Sequence, residues 1–95
     1  MNKLEAEYAG MLDADPAVAE HWFEAFKIRL ADNTFYTPDF LVRMIDDELV
    51  VHEVKGGLFT DAARIRLRVA AEHFPARFVL AQKKNKATGW EIGDV

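Results

Sequence analysis

The 95-residue sequence contains no cysteine. That excludes a disulfide framework, a thiolate metal site and a cysteine nucleophile, and it fits a reducing cytoplasm as the expected location. No apolar run approaches membrane-spanning length and the N-terminus lacks a signal-peptide core, so no membrane partner is expected. Only three prolines and five glycines occur, and no repeat, low-complexity segment or linker interrupts the chain. Net positive charge is missing as well: the formal charge of −4 tells against a nucleic-acid partner for as long as the chain is taken whole. What is there is a 51% hydrophobic composition with seven phenylalanines, enough for the modest core of one domain spanning residues 1–95. So small a domain is expected to self-associate.

Divided, the chain is strongly asymmetric. Residues 1–53 carry twelve acids against four Lys/Arg, whereas residues 54–95 carry eight Lys/Arg against four acids. An acidic half suits metal and a basic half suits phosphate, although charges also simply decorate solvated faces.

Periodicity predicts the elements. Leu4, Tyr8, Met11 and Leu12 recur at helical spacing over residues 2–12, with Glu5 at the edge of the apolar arc and Asp13-Ala14-Asp15-Pro16 as the stop. Alternation predicts a strand from Trp22 to Leu30, with Glu24 an exception on its apolar side, and Ala31-Asp32-Asn33 turns into a second strand from Thr34 to Met44. Leu49 to Lys55 form a third. After Gly56-Gly57, Thr60 or Asp61 caps a helix reaching Phe74. On its wheel Arg64 and Arg68 take the polar face, while Arg66 and His73 fall inside an arc formed by Ala62, Ala63, Ile65, Leu67, Val69, Ala70 and Phe74. Arg66 therefore either snorkels or meets an acidic site. Residues 77–82 form a fourth strand, and Lys83, Lys84 and Lys86 lead to Trp90, a basic hairpin with an exposed aromatic suited to a nucleic-acid backbone and base.

One pattern carries chemistry. Pro38-Asp39 opens the apolar part of the second strand, and His52-Glu53-Val54-Lys55 lies on the third. Successive strand residues face opposite ways, so Glu53 and Lys55 share one face and His52 and Val54 the other. Mg²⁺ binds through one or two carboxylates and substrate phosphate while keeping several waters. Asp39 shares Glu53's face only if paired residues of the hairpin have an even number sum, which demands an odd-length loop or a bulge near Pro38-Asp39. The bland alternative is a turn acid beside a solvated Glu53–Lys55 ion pair.

The order helix, three strands, helix, strand, with Pro-Asp on the second strand and Glu-x-Lys on the third, resembles the PD-(D/E)XK nuclease superfamily. Asn2-Lys3-Leu4-Glu5-Ala6-Glu7-Tyr8, the stretch Leu30 to Phe40 containing Tyr36-Thr37-Pro38-Asp39, and His52 to Gly56 look like a phage-associated family of small proteins within it. The resemblance implies a restriction-endonuclease-like α/β fold, order α-β-β-β-α-β(-β), with a mixed central sheet flanked by two helices. It implies Asp39 and Glu53 as ligands of Mg²⁺ or Mn²⁺ with the Val54 carbonyl completing the set, Lys55 as the catalytic lysine, and Glu5 as an additional acid from the first helix. Arg64 or Arg66 would supply the basic group of the second helix, and Arg64, Arg66, Arg68, Lys83, Lys84 and Lys86 would contact nucleic acid.

The expected activity is hydrolysis of a DNA phosphodiester by a homodimeric endonuclease, phage- or prophage-encoded and acting in the bacterial cytoplasm on branched or duplex DNA. Longer relatives carry sequence ahead of the first helix. The competing expectation is therefore a lapsed nuclease fold that acts by binding protein or nucleic acid. A small non-catalytic α/β interaction protein, using Trp90 and the lysines, is a third.

Overall fold

The computed structural model describes residues 1–85 and 89–95. The elements are α1 (Lys3–Ala14), β1 (Val18–Phe23), β2 (Ile28–Ala31), β3 (Thr34–Tyr36), β4 (Phe40–Met44), β5 (Leu49–Gly56), α2 (Asp61–His73), β6 (Arg77–Asn85) and β7 (Gly89–Asp94). This is an α/β architecture with a mixed five-stranded sheet in the order β1-β4-β5-β6-β7. Among the described residues only β5 and β6 run parallel, and the crossover that a parallel pair requires contains α2. No helix among the described residues is long and apolar enough to cross a membrane.

Local chemistry sets the helix ends. At α1 the Asn2 side chain accepts from the Glu5 N–H and the Glu5 carboxylate accepts from the Asn2 N–H, each at 2.8 Å, so two orphan donors are satisfied reciprocally. The Thr60 hydroxyl accepts from the Ala63 N–H at 3.2 Å and starts α2. Tyr8 and Leu12, one turn apart, bury one face of α1, and Leu67 and Ala70 bury the corresponding face of α2.

Two expected strands are each broken in two. Trp22 to Leu30 is interrupted at Glu24, whose φ of 49° is left-handed, and Thr34 to Met44 is interrupted at Thr37-Pro38. The breaks lie at one level, tied by the Glu24 N–H donating to the Asp39 carbonyl at 2.9 Å. Beyond them β2 and β3 form a separate two-stranded hairpin. Glu24 is thus an exposed bend residue and no strand-face acid. The fourth expected strand extends three residues further than its apolar stretch, to Asn85.

The sheet separates two apolar layers. Tyr8 and Leu12 of α1 pack with Phe40, Val42, Val54 and Ala81 on one face. Leu67 and Ala70 of α2 pack with Ile28, Tyr36, Val51, Phe59 and Phe78 on the other. Strand alternation therefore puts Glu53 and Lys55 with Val51 on the α2 side, and His52 with Val54 on the α1 side, where its Nδ1 meets the Tyr8 hydroxyl at 2.7 Å.

The β4–β5 hairpin meets the parity requirement. Its partners are Phe40 with His52, Leu41 with Val51, Val42 with Val50 and Arg43 with Leu49, each pair summing to 92. Met44 donates to the Glu48 carbonyl and Asp47 donates to the Met44 carbonyl, both at 2.9 Å. Ile45, Asp46 and Asp47 thus form a three-residue loop, its last residue left-handed at φ 71°, the usual geometry of a turn followed by a one-residue bulge.

Asp47 occupies a backbone region that a branched side chain resists. We expect Asp47→Gly to keep or raise stability by ~0.5–1 kcal/mol and Asp47→Val to lower it by ~1–2 kcal/mol, both read by urea unfolding. A valine variant as stable as the wild type would contradict this loop geometry.

Candidate active site

Continuing the hairpin register beyond Phe40 and His52 brings Asp39 opposite Glu53 and Pro38 opposite Val54. In an antiparallel ladder a residue's N–H and carbonyl turn to the same neighbour. Pro38 is buried and has no N–H to give the Val54 carbonyl, so the ladder stops there. The Val54 N–H is taken by the Asp39 carboxylate instead, Oδ2 accepting at 2.8 Å. By the same geometry the Val54 carbonyl points to the side where Asp39 stands.

Glu53 completes the cluster. Its Oε1 accepts from the Asp39 N–H at 3.3 Å, and its Oε2 lies 3.3 Å from Lys55 Nζ. The Glu53 side chain is 7% exposed and that of Lys55 33%, so the acid is sealed in while the ammonium keeps a route to solvent. Lys55 Nζ and the Arg64 guanidinium lie 5.9 Å and 4.6 Å from the Phe59 ring centre, within cation–π reach.

Burial and then the adjacent Glu53 charge push the Asp39 carboxyl up to about 7, against the stabilising Val54 N–H; Glu5 adds a smaller opposing charge. On the other face burial pulls His52 down to about 4, so that it stays neutral, and pushes its partner Tyr8 up to about 12.

The remaining expected residues divide. Glu5 stands close enough for its charge to act on Asp39, but its carboxylate is engaged in the helix cap. Among the described residues no three His, Cys, Asp or Glu side chains gather to hold an ion. Arg66, expected inside the apolar arc of α2, is exposed, because the helix turns Leu67, Ala70 and Ala63 inward and leaves Ile65 63% exposed. His73 is also exposed and its Nδ1 meets the Val69 carbonyl at 2.9 Å, a local backbone contact. Arg64 and Arg68 are exposed as expected. Lys83 is not free for phosphate: its Nζ lies 2.7 and 2.9 Å from the Glu7 carboxylate oxygens. Trp90 donates to the same carboxylate at 3.4 Å and packs its ring 5.1 Å from Tyr8, so it is half-buried rather than a free stacking platform. Lys84 is exposed and lines a surface cleft with Arg64 and Gln82. Lys86 lies outside the described residues. A wide apolar cleft lined by Phe26, Leu41, Leu49 and Phe74 opens at the other end of the hairpin, beside Asp47 and Glu48, and contains neither Asp39 nor Glu53.

The donors fit a hard divalent cation. Two adjacent carboxylates and a strand carbonyl supply oxygen only, and Mg²⁺ completes such a set with water and substrate phosphate. Sequence reasoning passed over Tyr36, whose buried hydroxyl is influenced by the charges of Glu53, Asp39 and Arg66. Its signal was its place three residues before Asp39, but β-propensity alone accounts for a tyrosine there. No protein-family model matches the sequence, and no curated protein and no solved structure matches it either.

The two shifted groups pull stability in opposite directions over one pH window. Asp39 binds its proton more tightly folded than unfolded, so its contribution is greatest below pH 4 and is lost as the pH rises to about 7. His52 contributes fully above pH 6.5 and loses that contribution as the pH falls toward 4. Asp39→Asn removes the first effect alone. We expect it to exceed the wild type by ~2–4 kcal/mol at pH 7 and by almost nothing at pH 4, measured by urea unfolding across that range. A gap independent of pH would contradict the assigned carboxylate environment.

Proposed function

We propose that this chain is a metal-dependent nuclease of the PD-(D/E)XK type, hydrolysing phosphodiester bonds in DNA. The observation that carries the reading is the convergence of Asp39, Glu53 and Lys55 at the open end of the β4–β5 hairpin, with the Val54 carbonyl on the same side. The helix–sheet–helix arrangement with a parallel β5–β6 pair supports a restriction-endonuclease-like core. A reading as a merely solvated ion pair suits the site poorly, since Glu53 is only 7% exposed and, beside a second carboxylate, needs more compensation than one partly exposed ammonium gives.

Asp39, Glu53 and the Val54 carbonyl would hold Mg²⁺ or Mn²⁺, which when bound lowers the pKa of a water and offsets charge on phosphoryl oxygens. Asp39 must first give up its proton, so metal and proton compete for it. Glu53 is held by the Asp39 N–H and Lys55. Lys55, two residues onward and so on the same face, presents its ammonium to the attacking or leaving oxygen and stabilises negative charge as it develops. Arg64, Arg66, Arg68 and Lys84 provide exposed cations for the phosphate backbone. A domain with one such site cuts two strands as a homodimer, and branched DNA is the substrate proposed for it.

The test is incubation of the purified protein with linear, single-stranded and branched DNA in Mg²⁺, Mn²⁺ or EDTA. We expect cleavage with either metal and none in EDTA. Lys55→Ala should lose ~10²–10³-fold in rate, and Asp39→Ala should lose all metal-dependent cleavage. Binding of DNA without cleavage would favour a lapsed module, and wild-type cleavage no greater than that of both variants would end the nuclease reading.

A further inference from the structure

Tyr36 closes β3 on the α2 side of the sheet, three residues ahead of Asp39. Its ring is 7% exposed and packs with Ile28, Val51, Phe59 and Leu67, a role that phenylalanine fills equally well. The hydroxyl has no such explanation. It is shut off from solvent and, alone among the buried side-chain polar atoms of the described residues, makes no hydrogen bond of ordinary geometry, while the Glu53 carboxylate stands near enough to act on it as an acceptor. Folded proteins rarely leave such a donor unpaired, and an exception calls for a reason.

Its surroundings supply one. After burial itself, the Glu53 and Asp39 carboxylates are what most oppose ionisation of this hydroxyl, which places it at the anionic pair. Glu53 meanwhile is held by two contacts, the Asp39 N–H and Lys55 Nζ, both long at 3.3 Å. A loosely held carboxylate and an unused donor therefore lie together in a sealed place. The hydroxyl itself is closed to solvent, so it acts on the site through the carboxylate beside it.

We propose that Tyr36 is a positioning residue for Glu53: its hydroxyl donates to the Glu53 carboxylate when Asp39 and Glu53 hold a divalent cation, and fixes the orientation in which that carboxylate binds. The proposal rests on the metal-site reading given above. Ligating side chains are generally oriented by such outer partners, whose loss weakens metal affinity by ~10–100-fold.

Tyr36→Phe and the wild type separate the two ideas when titrated with Mn²⁺ by calorimetry, melted without metal, and compared by near-ultraviolet difference spectroscopy on saturation with Mg²⁺. The phenylalanine variant should melt at or above the wild-type temperature without metal, because it lacks the unpaired donor, and bind Mn²⁺ at least ~10-fold more weakly. The wild type should show a tyrosine band on Mg²⁺ addition that the variant lacks. A tyrosine that only fills space behaves otherwise: affinity is unchanged and no band forms. Equal Mn²⁺ affinities, or a wild-type spectrum without that band, overturn the role of Tyr36 and leave the metal site standing. A wild type that binds no Mn²⁺ overturns both.

Discussion

Two carboxylates held side by side in a partly buried place oppose each other's charge. At ~4 Å the repulsion is roughly 1 kcal/mol in water and about 4 kcal/mol at the effective dielectric of a protein surface. The end of the β4–β5 hairpin is built around this conflict between Asp39 and Glu53. The Val54 N–H and the Lys55 ammonium relieve it only in part, and burial together with the Glu53 charge holds the Asp39 carboxyl up at about 7. An arrangement that is unfavourable for the protein alone would become favourable on the proposed replacement of the proton by a divalent cation. That is the physical content of the metal-site proposal.

Small backbone features create the conflict. A three-residue loop at Ile45–Asp47 makes the register even, and Asp39 then comes level with Glu53 and not with His52. A loop one residue shorter or longer, without a compensating bulge, would turn Asp39 to the α1 side. Pro38 ends the ladder at that level because it has no N–H, and the bend at Glu24 lets the β2–β3 hairpin swing over the α2 face. Tyr36 comes with it, so the same break that frees the Val54 carbonyl also brings a hydroxyl to Glu53. The other face is quieter: neutral His52, hydrogen-bonded to Tyr8, fills it.

What could be seen in the amino-acid order was the part governed by short-range rules. Strand alternation placed Glu53 beside Lys55, the pair Thr60-Asp61 marked the start of α2, where Thr60 is the cap, and hairpin parity set the condition under which Asp39 could join the site. What escaped depended on distant partners. Over residues 22–30 and 34–44 the β-prone pattern resumes beyond Glu24 and Pro38, so these two irregularities read as a strand-face exception and a local bulge, and the full bends there are imposed by tertiary packing. The wheel of α2 could not tell which edge of a broad apolar arc would turn inward, which is why Arg66 and Ile65 were placed on the buried side. Lys83 looked free because its partner Glu7 lies 76 positions away. Tyr36 was hidden by its suitability for a strand: only a buried, unpaired oxygen distinguishes it from phenylalanine.

A cation and a proton are proposed to compete for Asp39. The most direct measurement is calorimetric titration of the wild type with Mn²⁺ between pH 5.5 and 8, repeated in buffers of different ionisation enthalpy to count protons released. Such competition predicts an affinity that rises about tenfold per pH unit below pH 7 and levels off above it. It also predicts that about one proton leaves per ion at pH 5.5 and almost none at pH 8. Absence of Mn²⁺ binding, or binding with the same affinity and no proton release across the range, would contradict it.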